Sequence, residues 1–407
     1  MFRHRNMSNA HLKSLIESIL PEVLELRHDL HRHPELAFEE HRTAGKVKEF
    51  LHGVPGLEIR SGIAGTGLTV LIGKDRPGPC VGLRADMDAL PIEEESGVEW
   101  ASGDPGRMHA CGHDGHTAML AGAARILAGM AADLPGPVKC IFQPAEEGGG
   151  GGRRMVEEGV LQDPPVEAVF GLHNNFPVPD MEIGPIAYVS GPCMAGTGTF
   201  DIEILGHGGH AAFPHLCVDP VYIGSCIVSQ LQGLVSRSVD PISSAVLSVT
   251  QFHAGSAFNI IPRTARLTGT LRALDMKILE QLKAGLEKRV TEVAKAHGAE
   301  VKIRCDIGYP VLVNSRELEE VFLEILKETG DSGSVVEVPP VMAGEDFAFY
   351  AREVPSFFYF LPSCPKGVTD NPACHHPAFD FNDDLLATGI RLHVETARRF
   401  APRWKAR

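Results

Sequence analysis

Four short apolar runs constrain this chain more than any other feature: GLTVLIG at 67–73, CVGLRAD at 80–86, VKCIFQPAEE at 138–147 and VEAVFGLHN at 166–174. Each is near-continuously apolar rather than alternating. That is the pattern of a strand buried on both faces, as parallel strands are in an α/β sheet. Between the second and third lies HTAMLAGAARILAGM, with Leu120, Ala124 and Leu127 on one side and Met119, Ala123, Ile126 and Met130 on another. A helix apolar on most sides is a buried one. The polar residues gather where the runs stop: Asp86 and Asp88 after the second, Glu146 and Glu147 after the third, His173 at the end of the fourth. In open α/β sheets the crevice beyond the carboxyl ends of the strands is where sites are built. Packing does not explain carboxylates and imidazole delivered to one edge from three strand ends.

Residues 12–32 read as a helix with Leu15, Ile16, Ile19, Val23, Leu26 and Leu30 near one face, and Pro21 is expected to kink it or start a second segment. From about residue 186 the style changes. FDIEILG at 200–206 alternates, with Phe200, Ile202 and Ile204 on one side, as in a half-exposed strand. Asp219 and Pro220 suit the N-cap and first position of a helix reaching about 237. Two further strands, AVLSVTQFHAG and ARLTGTLRAL, precede an amphipathic helix carrying Ile278, Leu282, Leu286, Val290 and Val293, and then the strand AEVKIRCDIG. This β-α-β-β-α-β order is that of a ferredoxin-like domain. Helix and strand patterns of the first style return in SRELEEVFLEILKETG, SFFYFLP and NDDLLATGIRLHVETARRF. The expected fold class is α/β: a mostly parallel central sheet flanked by helices, built from 1–185 and 309–407, interrupted at 186–308 by a smaller ferredoxin-like α+β domain. A chain of 407 residues is long enough for two such cores.

Acidic residues outnumber basic ones by 52 to 38, for a net charge of -14. That argues against nucleic acid and anionic membrane as partners, since both need a basic surface. No apolar stretch approaches ~20 residues, the length of a membrane span. The N-terminus is basic but lacks the apolar core of a secretory signal. Nine irregularly spaced cysteines fit a reducing compartment better than a disulfide framework, so the cytoplasm is the expected location.

The densest chemistry is MHACGHDGH at 108–116, where Cys-Gly-His sets a thiol and an imidazole two residues apart in a glycine-loosened segment. QPAEEGGGGG at 143–152 follows an apolar strand with adjacent glutamates and five glycines. One carboxylate of such a pair can hold a metal while the other takes a proton. The glycine run lacks the GK[ST] ending of a phosphate loop. A lone histidine is more often structural than a ligand, so the case rests on the sum. Cys111, His113, Glu147, His173 and His375 supply five N, O and S donors, about right for two ions. Mixed donors of this kind suit zinc, manganese, cobalt or nickel better than calcium or magnesium. Asp86 or Asp88 is expected behind them, orienting an imidazole through its other nitrogen.

The motifs RADMDALPIEE, MHACGHDGHTAML, FQPAEEGGGG, GLHN, GHGGHAAFPH, NIIPRTARLTGTLR, AGEDFAFY and HHPAFDF stand in this order. Together they resemble the hippurate hydrolase and auxin-conjugate hydrolase subfamily, in the metallopeptidase clan of the aminoacylases and carboxypeptidase G. The resemblance runs from about residue 26 to the C-terminus. It implies a metal-dependent hydrolase of N-acyl amino acids, such as hippurate-like or N-acetyl compounds. Cys111, His113, Glu147, His173 and His375 would be the ligands of two divalent ions, manganese or zinc with cobalt or nickel as alternatives. Glu146 would be the general base. The inserted domain would be a lid through which a homodimer or homotetramer forms. His210 would stabilise the tetrahedral intermediate, often across the dimer, while Asn259, Arg272 and Gly344 would touch substrate. A dipeptidase or a specific deacetylase on the same site is the nearer alternative, and a non-catalytic metabolite binder the more distant one. Three departures fall on the substrate side: Asn175 and Phe176 where tryptophan is usual, His207 in a basic position, and the Cys193 segment GPCMAGTGTF.

Overall fold

The computed structural model describes residues 8–175 and 181–405, so Phe176 and the first seven residues lie outside the described part. The chain divides into two compact units, one of residues 1–191, 313–339 and 346–407, the other of 192–312 and 340–345.

The larger unit holds an eight-stranded sheet. Its strands are β1 (Leu57–Ile63), β2 (Gly67–Ile72), β3 (Cys80–Asp86), β4 (Val138–Gln143), β5 (Val166–Asn174), β6 (Ile186–Tyr188), β7 (Val335–Glu337) and β8 (Ser356–Leu361). They lie in the order β1-β2-β4-β3-β5-β8-β6-β7. β4, β3, β5 and β8 are mutually parallel, while β1 and β2 join antiparallel at one edge. Every residue of β2, β3, β4 and β8 is buried, which is why these runs are continuously apolar. The fold class read from the sequence is the one observed. β6 pairs with both β8 and β7, so residues 186–191 belong to the larger unit and not to the insertion.

Helices Asn9–Arg32, His113–Gly129 and Leu385–Trp404 pack on one another and, through the latter two, on β3. Asn9–Arg32 runs through Pro21 as one helix with no second segment. Its buried Leu12, Ile16, Val23, Leu26 and Leu30 supply the tertiary contacts that hold it across the missing N–H. The central helix starts at His113, three residues earlier than the apolar pattern indicates, because Gly112 caps it in a left-handed conformation.

In the smaller unit four antiparallel strands stand in the order 245–254, 264–273, 196–205, 300–307. Taken in chain order this is 2-3-1-4, the ferredoxin-like arrangement. Helices Pro220–Ser238 and Met276–Ala296 bury Ile223, Ile227, Leu231, Leu282, Leu286 and Val290 against Phe200, Ile202 and Ile204. The Asp219 carboxylate caps the first helix by accepting from the N–H groups of Val221 (2.8 Å) and Tyr222. A short return at 340–345 rejoins this unit and brings Gly344 into it.

Candidate metal centre

The candidate ligands gather at the carboxyl ends of β3, β4 and β5. β3 runs on into Asp88, whose carboxylate accepts the backbone N–H of Glu146 (3.0 Å) through one oxygen and that of Glu147 (2.9 Å) through the other. The end of one strand therefore sets the loop that leaves the next. Proline at 144 ends β4, and the glutamates follow in a turn whose glycines let it fold back.

His113 opens the central helix behind Gly112, which has φ +88. A Cβ at Gly112 would stand 2.3 Å from Asn174 Oδ1, so only glycine fits between Cys111 and His113. The His113 Nδ1–H donates to the Asp88 carbonyl at 2.9 Å, with the Asp88 carboxylate at 3.3 Å. His173 Nδ1–H donates to the Asn174 carbonyl at 2.7 Å. Both imidazoles thus present a bare Nε2, the atom a metal takes. His173 Nε2 lies 3.4 Å from Cys111 Sγ, and His113 Nε2 is buried without a hydrogen-bond partner among the described residues. His375 Nε2 lies 3.1 Å from Glu147 Oε1. Its neighbour His376 is taken up locally, accepting the Ala378 N–H at 3.0 Å.

Among the described residues five groups have donor atoms within 4.8 Å of one another: Cys111, His113 and His173; Cys111, Glu147 and His375; His113, Glu146 and Glu147; Asp86, His113 and His116; and Glu146, Glu345 and Asp346. The five sequence-derived ligands thus form two overlapping sets that share the Cys111 thiol. Burial pushes the His113 pKa down, but Asp86 and Asp88 outweigh it and the net shift is strongly upward. Burial likewise raises the Glu147 carboxyl, yet His375 and His113 hold it below its ordinary value. Such a field attracts positive charge. With a buried Nε2 that makes no hydrogen bond among the described residues and a shared thiol, the site fits borderline divalent cations.

The two aspartates divide. Asp88 orients the candidate ligand His113 through Nδ1, whereas Asp86 takes the Nδ1–H of His116 at 2.6 Å with one oxygen and sets the other 3.7 Å from His113 Nε2. His116 Nε2 in turn accepts the Asn174 N–H at 3.0 Å. Both nitrogens of His116 are hydrogen-bonded here, so it supports β5. Its position three residues after His113 is a helical spacing that shows this face but not the role. Arg84 stands inside RADMDALPIEE with no role assigned from the sequence; it is buried in β3 and paired with Asp86 and Asp346. Arg27 and His31 meet Asp114 at 3.1 and 2.8 Å in a further buried cluster that the sequence motifs do not mark. A cation in an apolar strand or helix face was the available signal.

The remaining candidates lie in the smaller unit. His210 pairs with Ile260, and the Ala211 N–H donates to the Asn259 carbonyl at 3.0 Å, so His210 and Asn259 are neighbours and both exposed. Arg272 is half-buried, and burial lowers its pKa. A Cβ on Gly344 would lie 3.1 Å from Arg272 Nη1 and 2.3 Å from Thr197 Cγ2, so glycine there leaves the guanidinium room. Among the departures, Asn175 is buried at φ +57, a conformation asparagine tolerates better than tryptophan. Cys193 is buried and His207 exposed.

Residues 82–399 match the model of peptidase family M20/M25/M40. The chain belongs to this family. It is 38% identical over 388 residues to the IAA-amino acid hydrolase ILR1-like 4 of Arabidopsis thaliana, covering 94% of this chain and 87% of that one. It is 36% identical over 386 residues to an N-acetyl-L-cysteine deacetylase of Bacillus subtilis, covering 94% and 89%. Among solved structures, the Bacillus subtilis YXEP protein, described as a dinuclear metal binding peptidase of the M20 family, superposes with TM-score 0.80 at 32% identity, covering 95% and 99%. This M20 chain is a metal-binding hydrolase acting on carbon–nitrogen bonds.

Proposed function

We propose that this M20 protein hydrolyses the amide bond of N-acyl amino acids, releasing a carboxylic acid and a free amino acid. Cys111, His113, Glu147, His173 and His375 would hold two divalent ions, manganese or zinc with cobalt or nickel as alternatives. The observation that carries the reading is the pair of overlapping donor sets meeting at Cys111, with Glu146 beside them. The relatives named for IAA-amino acid hydrolysis and N-acetylcysteine deacetylation supply the substrate class.

When bound, the ions supply Lewis acidity and bring the pKa of water toward neutrality. Glu146 is 7% exposed, and its Oε1 accepts the backbone N–H of Asp346 at 3.3 Å. Its carboxylate takes the proton of the attacking water and passes it to the nitrogen of the departing amino acid. Arg272 has no hydrogen-bond or ion-pair partner among the described residues. Its planar fork suits the α-carboxylate of an acyl amino acid, with Gly344 leaving space beside it. His210 is assigned to the tetrahedral oxyanion and Asn259 to the substrate. Exposed Phe213, Leu216 and Ile260 around His210 support a homodimer or homotetramer through the smaller unit, which light scattering checks. Nine free cysteines accord with the cytoplasm.

The test is a panel of acetyl, benzoyl and longer acyl amino acids with dipeptides beside them, assayed with manganese, zinc, cobalt and nickel. Amine release from the acyl amino acids is expected. Turnover of dipeptides alone, or of one acetylated amino acid alone, selects the dipeptidase or the dedicated deacetylase, and no release at all selects a binder. Glu146→Ala should keep its metal content and lose activity by about 10²–10⁴-fold. Near wild-type kcat removes Glu146 from the role.

A further inference from the structure

Two buried carboxylates outside the ligand set, Glu40 and Asp346, grip the loop that carries Glu146. Glu40 is fully buried, and its Oε1 accepts the N–H of Ala145 at 2.8 Å and that of Phe38 at 3.0 Å, while Oε2 takes the Thr66 hydroxyl. Asp346 is fully buried as well. Its Oδ2 accepts the N–H of Gly152 at 2.8 Å, and Oδ1 accepts from Gln143 Nε2 at 2.7 Å and Arg84 Nη2 at 3.0 Å. Between these holds sit the two Asp88 contacts to Glu146 and Glu147.

The loop needs such holds. Ala145, Gly148 and Gly150 all have positive φ; the turn closes Gly148 N–H to Glu146 and Gly151 N–H to Ala145, but the N–H groups of Ala145, Glu146 and Glu147, and that of Gly152 in the first turn of the helix Gly151–Glu157, turn to side-chain carboxylates instead. Buried N–H groups require acceptors, and a carboxylate is a stronger acceptor than a carbonyl. Any three acceptors would serve stability. These three bracket the functional residues: Glu40 holds the N–H immediately before Glu146, Asp88 those of Glu146 and Glu147, and Asp346 that of Gly152. The backbone N–H of Asp346 also meets the Glu146 carboxylate itself. Arg84, shared between Asp346 and Asp86, ties the grip to the end of β3.

We propose that Glu40 and Asp346 are positioning residues that fix the Glu146 carboxylate and the Glu147 ligand through the backbone of residues 145–152. This rests on the functional reading above for Glu146, but not for its effect on metal binding. Replacing Glu40 by alanine frees the Ala145 N–H and lets the turn relax, moving both glutamates. Glutamine can keep the grip, because its amide oxygen accepts from Ala145 and Phe38 while its NH₂ turns to the Thr66 hydroxyl.

The experiment compares Glu40→Ala, Glu40→Gln and a control destabilised elsewhere, Lys139→Met, which removes an ammonium from the carbonyls of Val160, Gln162 and Pro164. Each is assayed for kcat and KM on the best substrate of the panel, and by calorimetric titration of the metal-free protein with Zn²⁺. The expected result for Glu40→Ala is a loss of about 10–100-fold in kcat with KM within about threefold, and a comparable weakening of the tighter-loaded site. Glu40→Gln should recover both, and Lys139→Met should lower the melting temperature while leaving both unchanged. Glu40→Ala with wild-type kcat and wild-type zinc affinity overturns the proposal, as does a Lys139→Met variant that loses both equally. If the wild-type protein releases no amine from any substrate, the functional reading fails while the zinc titration still decides the grip.

Discussion

Replacing Gly112 by alanine tests how the peptide between Cys111 and His113 is built. Two costs act together. The residue has φ +88, where a Cβ costs roughly 1–2 kcal/mol. That Cβ would also lie 2.3 Å from Asn174 Oδ1, 2.8 Å from its Cγ and 3.0 Å from its Nδ2. Real Cβ atoms do not approach so closely, and the Asn174 side chain is fully buried with little room to retreat. Overpacking of this kind costs about 1–3 kcal/mol. The sum, about 2–5 kcal/mol, corresponds to a melting-temperature loss of roughly 5–15 °C for a unit of this size. Gly97→Ala separates the two costs, since Gly97 has φ +74 but nothing within 4 Å of its would-be Cβ. It should lose only the first. In a double-mutant cycle, Asn174→Ala should recover the second cost in Gly112→Ala. Because Cys111 and His113 flank the strained peptide, Gly112→Ala should also bind less zinc by elemental analysis. A Gly112→Ala variant with an unchanged melting temperature and full metal content refutes the reasoning.

Cys111→Ala should lose metal outright, and unchanged stoichiometry by elemental analysis would remove it from the ligand set. Arg272→Met should raise KM about 10–100-fold with kcat nearly intact, the loss of a charge-assisted hydrogen bond to a substrate carboxylate; an unchanged KM shows that the carboxylate is held elsewhere. Burial pushes His31 down, but Asp114 and Glu94 outweigh it and raise its pKa from 6.5 to about 9. Its contribution, about 2–4 kcal/mol, is therefore fully present below about pH 6.5 and is lost as pH rises through about 9. Urea midpoints should fall across that window in the wild type and flatten in His31→Phe; parallel slopes in the two proteins would exclude His31 as the source.

The strands and the donors were legible because both are written locally. A run such as VKCIFQ must be buried on both faces wherever it lies, and Asp, Glu, Cys and His at run ends are unusual enough to mark one sheet edge. The resemblance of the motifs then named the chemistry. Gly112 as a helix cap was hidden, since an apolar-period reading starts the helix only where the apolar residues start, at 116 rather than His113. In strand 196–205 the alternation shows only from Phe200 onward, because Gly196 and Gly198 carry no side chain to alternate.

By itself, then, the sequence determined the fold class, the order of the elements and the donor types at the sheet edge. Only the tertiary structure decided which nitrogen each imidazole presents, that His116 is hydrogen-bonded to both Asp86 and Asn174, and that Glu40 reaches Ala145 across 105 residues of chain. The physical reason is one of range. Burial periodicity acts between near neighbours and leaves its trace in the order of residues. A hydrogen bond between distant segments depends on how those segments pack, and a glutamate at position 40 looks the same in the sequence whether it is solvated or holds the loop of a catalytic base.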